Sequence, residues 1–165
     1  MQASGLEWTI LRLAEVYGIS SKRGIDALIN YIERWPIIPV IGDGRYRVCP
    51  VHISDVVYAI EKVIEDADKT TVNKIYTIAG PEDLTYNEVI YKISHIKRLN
   101  RKRVYISPAV FNALVTPVSF LIKKNSFPVK DQLQRLICEK SADISLAEKD
   151  LSFRPKRMED AVNKV

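Results

Sequence analysis

This chain has little of what marks several protein classes. Its two cysteines, Cys49 and Cys138, are too few for a disulfide framework and lack the Cys-x-x-Cys spacing of a zinc knuckle. Its two histidines, His52 and His95, stand 43 residues apart, and no set of His, Cys, Asp and Glu has metal-ligand spacing. No apolar run reaches the 18 or so residues of a spanning helix. Met1-Gln2-Ala3-Ser4-Gly5 has neither the basic nor the apolar region of a signal peptide. A reduced, cytoplasmic setting is therefore the expectation.

What remains is ordinary globular material. The 165 residues suffice for one domain with a real core, and 47% hydrophobic against 27% charged residues excludes a disordered or low-complexity chain. The net charge of +5 is local, because Lys97-Arg98-Leu99-Asn100-Arg101-Lys102-Arg103 holds five of the 25 basic residues and no acid. Outside it the chain has 20 basic and 20 acidic residues, so there is no broad basic face for nucleic acid. No aromatic residue interleaves with the basic turn, which argues against single-strand stacking and for a solvated loop.

Along the chain, strand and helix signals alternate. Residues 7–12 read as a strand closed by Val16-Tyr17-Gly18. Ile25, Leu28, Ile29 and Ile32 have helical spacing, and Trp35-Pro36 stops that helix. A short apolar piece over 37–41 meets the turn Gly42-Asp43-Gly44, and a second extended piece runs over 46–53. Ser54 or Asp55 is placed to cap a helix over 55–65. Residues 74–79 read as a strand, and Thr85 with Glu88 forms a capping box for a helix over 86–96. A strand follows at Val104-Tyr105-Ile106. Ser107-Pro108 opens an apolar helix to about 122, and Phe127-Pro128 opens another over 129–139. Ser145 with Glu148 reads as a second capping box, and residues 158–165 as a last helix. The pattern predicts an α/β portion over 1–96 and a mainly helical portion over 97–165.

Four segments, in order, carry a family resemblance. They are Leu11-Arg12-Leu13-Ala14-Glu15-Val16-Tyr17-Gly18; Gly42-Asp43-Gly44 with Pro50-Val51-His52-Ile53-Ser54-Asp55; Ile75-Tyr76-Thr77-Ile78-Ala79-Gly80 with Thr85 and Glu88; and Leu151-Ser152-Phe153-Arg154-Pro155. Together they resemble the C-terminal half of the NAD(P)-dependent epimerase/dehydratase family, the extended or atypical short-chain dehydrogenase/reductases. The resemblance implies the C-terminal part of a Rossmann-like parallel sheet plus a mostly helical substrate-binding lobe. It implies NAD or NADP as cofactor and a small-molecule substrate, often a nucleotide sugar. The family's Gly-x-x-Gly-x-x-Gly turn does not occur here, and family order places its catalytic Tyr-x-x-x-Lys pair ahead of residues 7–18. Tyr58 and Lys62 have that spacing but fall after those residues, within the helix expected over 55–65, so no catalytic residue is assigned. Both are expected in an N-terminal half upstream of Met1, and the chain is expected to be inactive alone and to pair with that half or with itself.

The resemblance also implies site residues. Leu13, Ala14 and Val16 stand where the family's strand end meets the nicotinamide, with Leu13 in place of the usual proline. Tyr17, Arg23, Arg47 and His52 are the candidate substrate contacts. The family's phosphate-binding arginine sits four residues before the histidine, which here is Val48, so Arg47 also reads as a surface arginine facing the other way. His52 also reads as a packed residue before a helix, Asp55 as a helix-capping or first-turn acid, and the cysteines as buried hydrophobes. Segment 109–122 is apolar almost all round and is followed by Lys123-Lys124. It reads as a core helix, or as a non-catalytic surface for a protein or a membrane assisted by the basic turn.

Overall fold

The computed structural model describes residues 5–111 and 142–162. Expectations for a helix to 122, a helix over 129–139 and Cys138 lie outside the described residues. Within them the fold is mixed α/β, with strands β1 (Thr9–Leu13), β2 (Val16–Tyr17), β3 (Ile37–Ile41), β4 (Arg47–Val48), β5 (Val51–His52), β6 (Lys74–Ile78), β7 (Leu84–Thr85) and β8 (Lys102–Ile106). The helices are α1 (Gly24–Arg34), α2 (Ile53–Ile64), α3 (Tyr86–Ile96), α4 (Ser145–Leu151) and α5 (Met158–Val162).

Three of the four strand pairs are parallel: β1 with β6, β2 with β5, and β3 with β8, while β4 and β7 are antiparallel. The parallel pairs need long connections, and α1, α2 and α3 lie within them. The β3–β8 pair joins a strand before residue 97 to one after it, from Ile37 beside Lys102 to Ile41 beside Ile106. Pro39 has no N–H to offer a neighbour, so it suits a strand with one open edge, and β3 pairs only with β8 among the described residues.

The apolar side chains form two cores. The larger lies among α1, β3, α3 and α5, around Ile32, Ile38, Val89, Ile93 and Met158. The smaller lies among β5, β6, α2 and α4, around Val51, Ala59, Tyr76, Leu151 and Phe153. Each helix of the larger core turns its 3.6-residue stripe inward, as the spacing of Ile25, Leu28, Ile29 and Ile32 requires.

The Thr85–Glu88 capping box forms in full. Thr85 Oγ1 accepts from Glu88 N at 3.2 Å and Glu88 Oε2 accepts from Thr85 N at 2.6 Å. The other two caps differ from expectation. Helix α2 begins at Ile53, and His52 is its cap, with Nδ1 accepting from Ser54 N at 3.2 Å. An imidazole nitrogen held at that position does what the Ser54 or Asp55 oxygen was expected to do. Helix α4 has no side-chain bond at its Ile144 cap; Asp143 Oδ1 instead accepts from Ser145 N at 2.9 Å. Ser145 is already helical, so no second capping box forms.

The basic turn is not simply a solvated loop. Lys102 and Arg103 belong to β8, Lys97 Nζ lies 2.9 Å from Glu33, and Arg101 Nε donates to Ile32 O at 2.6 Å. The carbonyls that α1 leaves unpaired at its C-terminal end receive the Arg101 guanidinium. Among the described residues, no helix is long and apolar enough to cross a membrane.

Candidate functional site

The loop after β1 is set by two pairings. Ala14 N donates to Ile78 O at 2.9 Å, and Val51 N donates to Glu15 O at 3.0 Å. The chain thus leaves the β1–β6 pair and enters the β2–β5 pair within three residues. The Leu13 side chain is exposed, and Ala14 and Val16 are half-buried, packed on the smaller core.

The next turn is held by a residue that motif reading missed. Asp26 is buried on α1, and its carboxylate accepts three backbone N–H groups: Gly18 at 2.8 Å, Ile19 at 3.2 Å and Ser21 at 2.9 Å. A buried carboxylate is tolerated because these donors replace its lost hydration. Its signal in the sequence was an acid inside the apolar stripe of α1, between Ile25 and Leu28.

Gly18 has φ +92, and a side chain there would collide with the His52 ring. That contact draws the loop over His52, whose Nδ1 also lies 2.8 Å from Ser54 Oγ. The His52 and Tyr17 rings meet edge to face at 5.3 Å. Tyr17 is 0% exposed, and its hydroxyl has no hydrogen-bond partner among the described residues. Burial, then the Asp55 charge, pushes its phenol well above the usual tyrosine range. Tyr17 therefore lies inside the larger core beneath His52, with no open face to a ligand.

Asp55 fastens the far end of the chain to this region. Its Oδ2 accepts from Lys156 N at 2.9 Å, and Lys156 Nζ donates to Ser54 Oγ at 2.8 Å. Asp55 is also a first-turn acid of α2, as its position predicts. Nothing in the sequence links Lys156 to residues a hundred positions earlier.

Arg47 lies in β4 and is tied to Asp83. Its Nε donates to Asp83 Oδ2 and its Nη2 to Asp83 O, both at 2.8 Å. The Asp83 partnership raises the guanidinium further above its usual range. Val48, in the register of the family arginine, packs against the larger core. Cys49 is a buried thiol pushed upward by burial and by Asp83. Arg23 is exposed on the loop before α1, where its N–H donates to Ser21 Oγ at 3.1 Å. The structure thus joins Tyr17 to His52 and sets Leu13, Ala14 and Val16 on one loop, while Arg47 is committed to the β4–β7 pair. Among the described residues no group of three or more His, Cys, Asp and Glu is placed to hold a metal.

Residues 1–79 match the model of the NAD dependent epimerase/dehydratase family. Over those residues the chain is similar to that family. One curated relative is the Arabidopsis thaliana protein "NADH dehydrogenase [ubiquinone] 1 alpha subcomplex subunit 9, mitochondrial", 26% identical over 160 residues, covering 92% of this chain and 39% of that protein. Among solved structures, UDP-glucose 4-epimerase from Thermotoga maritima with UDP-glucose superposes with a TM-score of 0.70 at 22% identity, covering 98% of this chain and 45% of that one. A dTDP-glucose 4,6-dehydratase from Streptomyces venezuelae with NAD bound gives 0.70 at 18% identity, covering 99% and 44%. These likenesses establish the fold as part of a Rossmann-like α/β architecture. The chain spans less than half the length of these relatives.

Proposed function

We propose that this chain is the substrate-lobe portion of an NAD(P)-dependent epimerase/dehydratase-like protein and works only when joined to a dinucleotide-binding half. The observation that carries this reading is the β1–β6 pair. Two parallel strands form no stable sheet by themselves, and parallel sheets are ordinarily covered on both faces. Here β1 has no second partner among the described residues, Leu13 is exposed, and α2 shows Val57, Ile60 and Ile64 to solvent. A further parallel strand on β1, with its own helices, would cover that surface.

The fit to a dinucleotide is partial. Leu13, Ala14 and Val16 offer an apolar strand end that would lie against a nicotinamide, but the Ala14 N–H is already spent on Ile78 O. The chain has no glycine-rich turn for the pyrophosphate. When bound, the cofactor would supply hydride transfer. The part of this chain would be to pack the nicotinamide end and to hold the loop over His52 through Asp26. Substrate contact falls to Arg23, to His52 and to Arg47, whose phosphate fork would have to displace Asp83. A nucleotide sugar is the substrate class. The low cysteine count and the lack of a disulfide framework or zinc spacing are in keeping with a reducing compartment, the cytoplasm among them.

The test joins a family dinucleotide-binding half ahead of β1 and follows NADH fluorescence. Saturable binding by the joined protein, lost on Leu13→Asp, supports the reading. Turnover of UDP-glucose with NAD by the 165-residue chain alone overturns it.

A second reading is a non-catalytic interaction module. The curated relative named as an NADH dehydrogenase subunit supports it, as does the engagement of Arg47 by Asp83. Under this reading the joined protein binds NADH but gives no saturable signal with UDP-glucose.

A further inference from the structure

A cavity of about 560 Å³ opens between the C-terminal half of α3 and the start of β8, away from the Leu13–Gly18 loop. Its walls are of two kinds. Ile90, Tyr91 and Leu99 give apolar and aromatic surface, and Arg98, Arg101 and Arg103 give three guanidinium groups. No carboxylate is among its described lining residues.

The guanidiniums are held differently. Arg101 Nη2 donates to Glu33 O at 3.1 Å, beside the Nε bond to Ile32 O, and Arg103 Nη1 donates to Asn87 O at 3.4 Å. Backbone carbonyls fix these two in place without cancelling their charge. Arg98 makes no side-chain hydrogen bond or ion pair among the described residues. It occupies the left-handed position after the α3 cap, with φ +54. Its N–H donates to His95 O at 3.0 Å, and the Leu99 N–H donates to Ser94 O at 2.8 Å. These two bonds form a Schellman termination, where glycine is the least strained residue. Nothing in the backbone requires an arginine there.

Ser94 also lines the cavity, but its hydroxyl is itself buried, so the ligand-facing groups are the guanidiniums and the apolar side chains. The dipole of α3 opposes an anion at this end, but it amounts to about half a negative charge. Its last carbonyls are already engaged by the Lys97, Arg98 and Leu99 N–H groups. Three whole positive charges outweigh it.

We propose that this cavity binds a phosphate ester. Its phosphate would lie on the Arg98, Arg101 and Arg103 guanidiniums, which match phosphate oxygens as paired donors. Its organic part would lie on Tyr91 and Leu99. The ester is either a soluble metabolite or the headgroup of a lipid.

Titration calorimetry with phenyl phosphate and co-sedimentation with vesicles containing phosphatidic acid test the proposal on the full chain. Binding of free phenyl phosphate assigns the site to a soluble ester, and binding to vesicles alone assigns it to a lipid headgroup. Arg98→Gly is the informative variant because glycine suits the left-handed position. It is expected to keep or raise the Tm while weakening binding roughly tenfold or more, as loss of a charge-assisted pair of hydrogen bonds requires. Arg154→Gln, an exposed arginine outside the cavity, is expected to leave binding unchanged. The proposal is overturned if neither probe binds, if Arg98→Gly binds as well as the parent, or if Arg154→Gln weakens binding equally.

Discussion

The two cores of this chain use the same kinds of side chain and finish differently. In the larger, α1, α3 and α5 bury their apolar stripes against β3 and against one another. Its rim is closed by Lys92 between Glu82 and Glu159, and by Lys97 on Glu33. In the smaller, α2 buries Val56 and Ala59 but leaves Val57 44%, Ile60 42% and Ile64 78% exposed. β1 has no fully buried residue. A helix with apolar residues on more than one face belongs between two layers, and only one layer is present among the described residues. The larger core has ion pairs closing its rim, whereas the smaller one leaves an apolar face of α2 uncovered among the described residues.

Phe153→Ala should have the largest effect, about 3–5 kcal/mol, because a wholly buried ring is removed from the core with fewer side chains to close the gap. Hydrogen exchange should then show β1 and β6 losing protection before α1 and α3. Simultaneous loss in all four would break the distinction between the cores.

Asp26→Ala should cost about 1–3 kcal/mol by leaving three N–H donors unsatisfied. Faster exchange confined to Gly18, Ile19 and Ser21 would show that the carboxylate holds the loop over His52 and does not support the larger core as a whole.

The ion pair of Lys74 with Asp150, at 2.6 Å, fastens α4 to β6 and gives the smaller core a pH dependence. The Lys74 hydrogen bond holds the Asp150 carboxyl below its usual range. A depressed carboxylate adds stability above the unfolded value of about 4, and that stability is lost as pH falls through the folded value. Denaturant unfolding at stepped pH should find Asp150→Asn less stable than the parent near neutrality, with the two converging in acid. A constant gap would remove this pair from the account.

Val57→Lys should change the stability of the chain least, within about 0.5 kcal/mol, since the site is already exposed. In the joined protein the same change should weaken packing onto the dinucleotide-binding half, read as a lower Tm there alone. An equal effect in both would mean that the α2 face needs no cover.

Most elements were legible because each rests on local chemistry. The α1 stripe, the stop at Trp35-Pro36 and the Thr85–Glu88 box need no distant residue. The failures share one cause. Ser54 and Ser145 have the right chemistry for a cap, but the helices begin where His52 and Asp143 can accept. Basic residues 97–103 read as a solvated loop because the α1 carbonyls that receive Arg101 lie about seventy positions away. Tyr17 reads as a ligand contact from its motif, yet its place beneath His52 depends on the β2–β5 register.

The sequence by itself determined the element order, the family likeness and the lack of a glycine-rich phosphate-binding turn, because periodicity and motif spacing are properties of neighbours along the chain. Only the tertiary structure decided that Asp26 holds the loop, that Asp83 engages Arg47, that ion pairs close the rim of one core while α2 leaves apolar residues exposed beside the other, and that three arginines share a cavity. Those outcomes depend on which carbonyls, carboxylates and apolar faces folding brings together over long separations, and no local pattern records them.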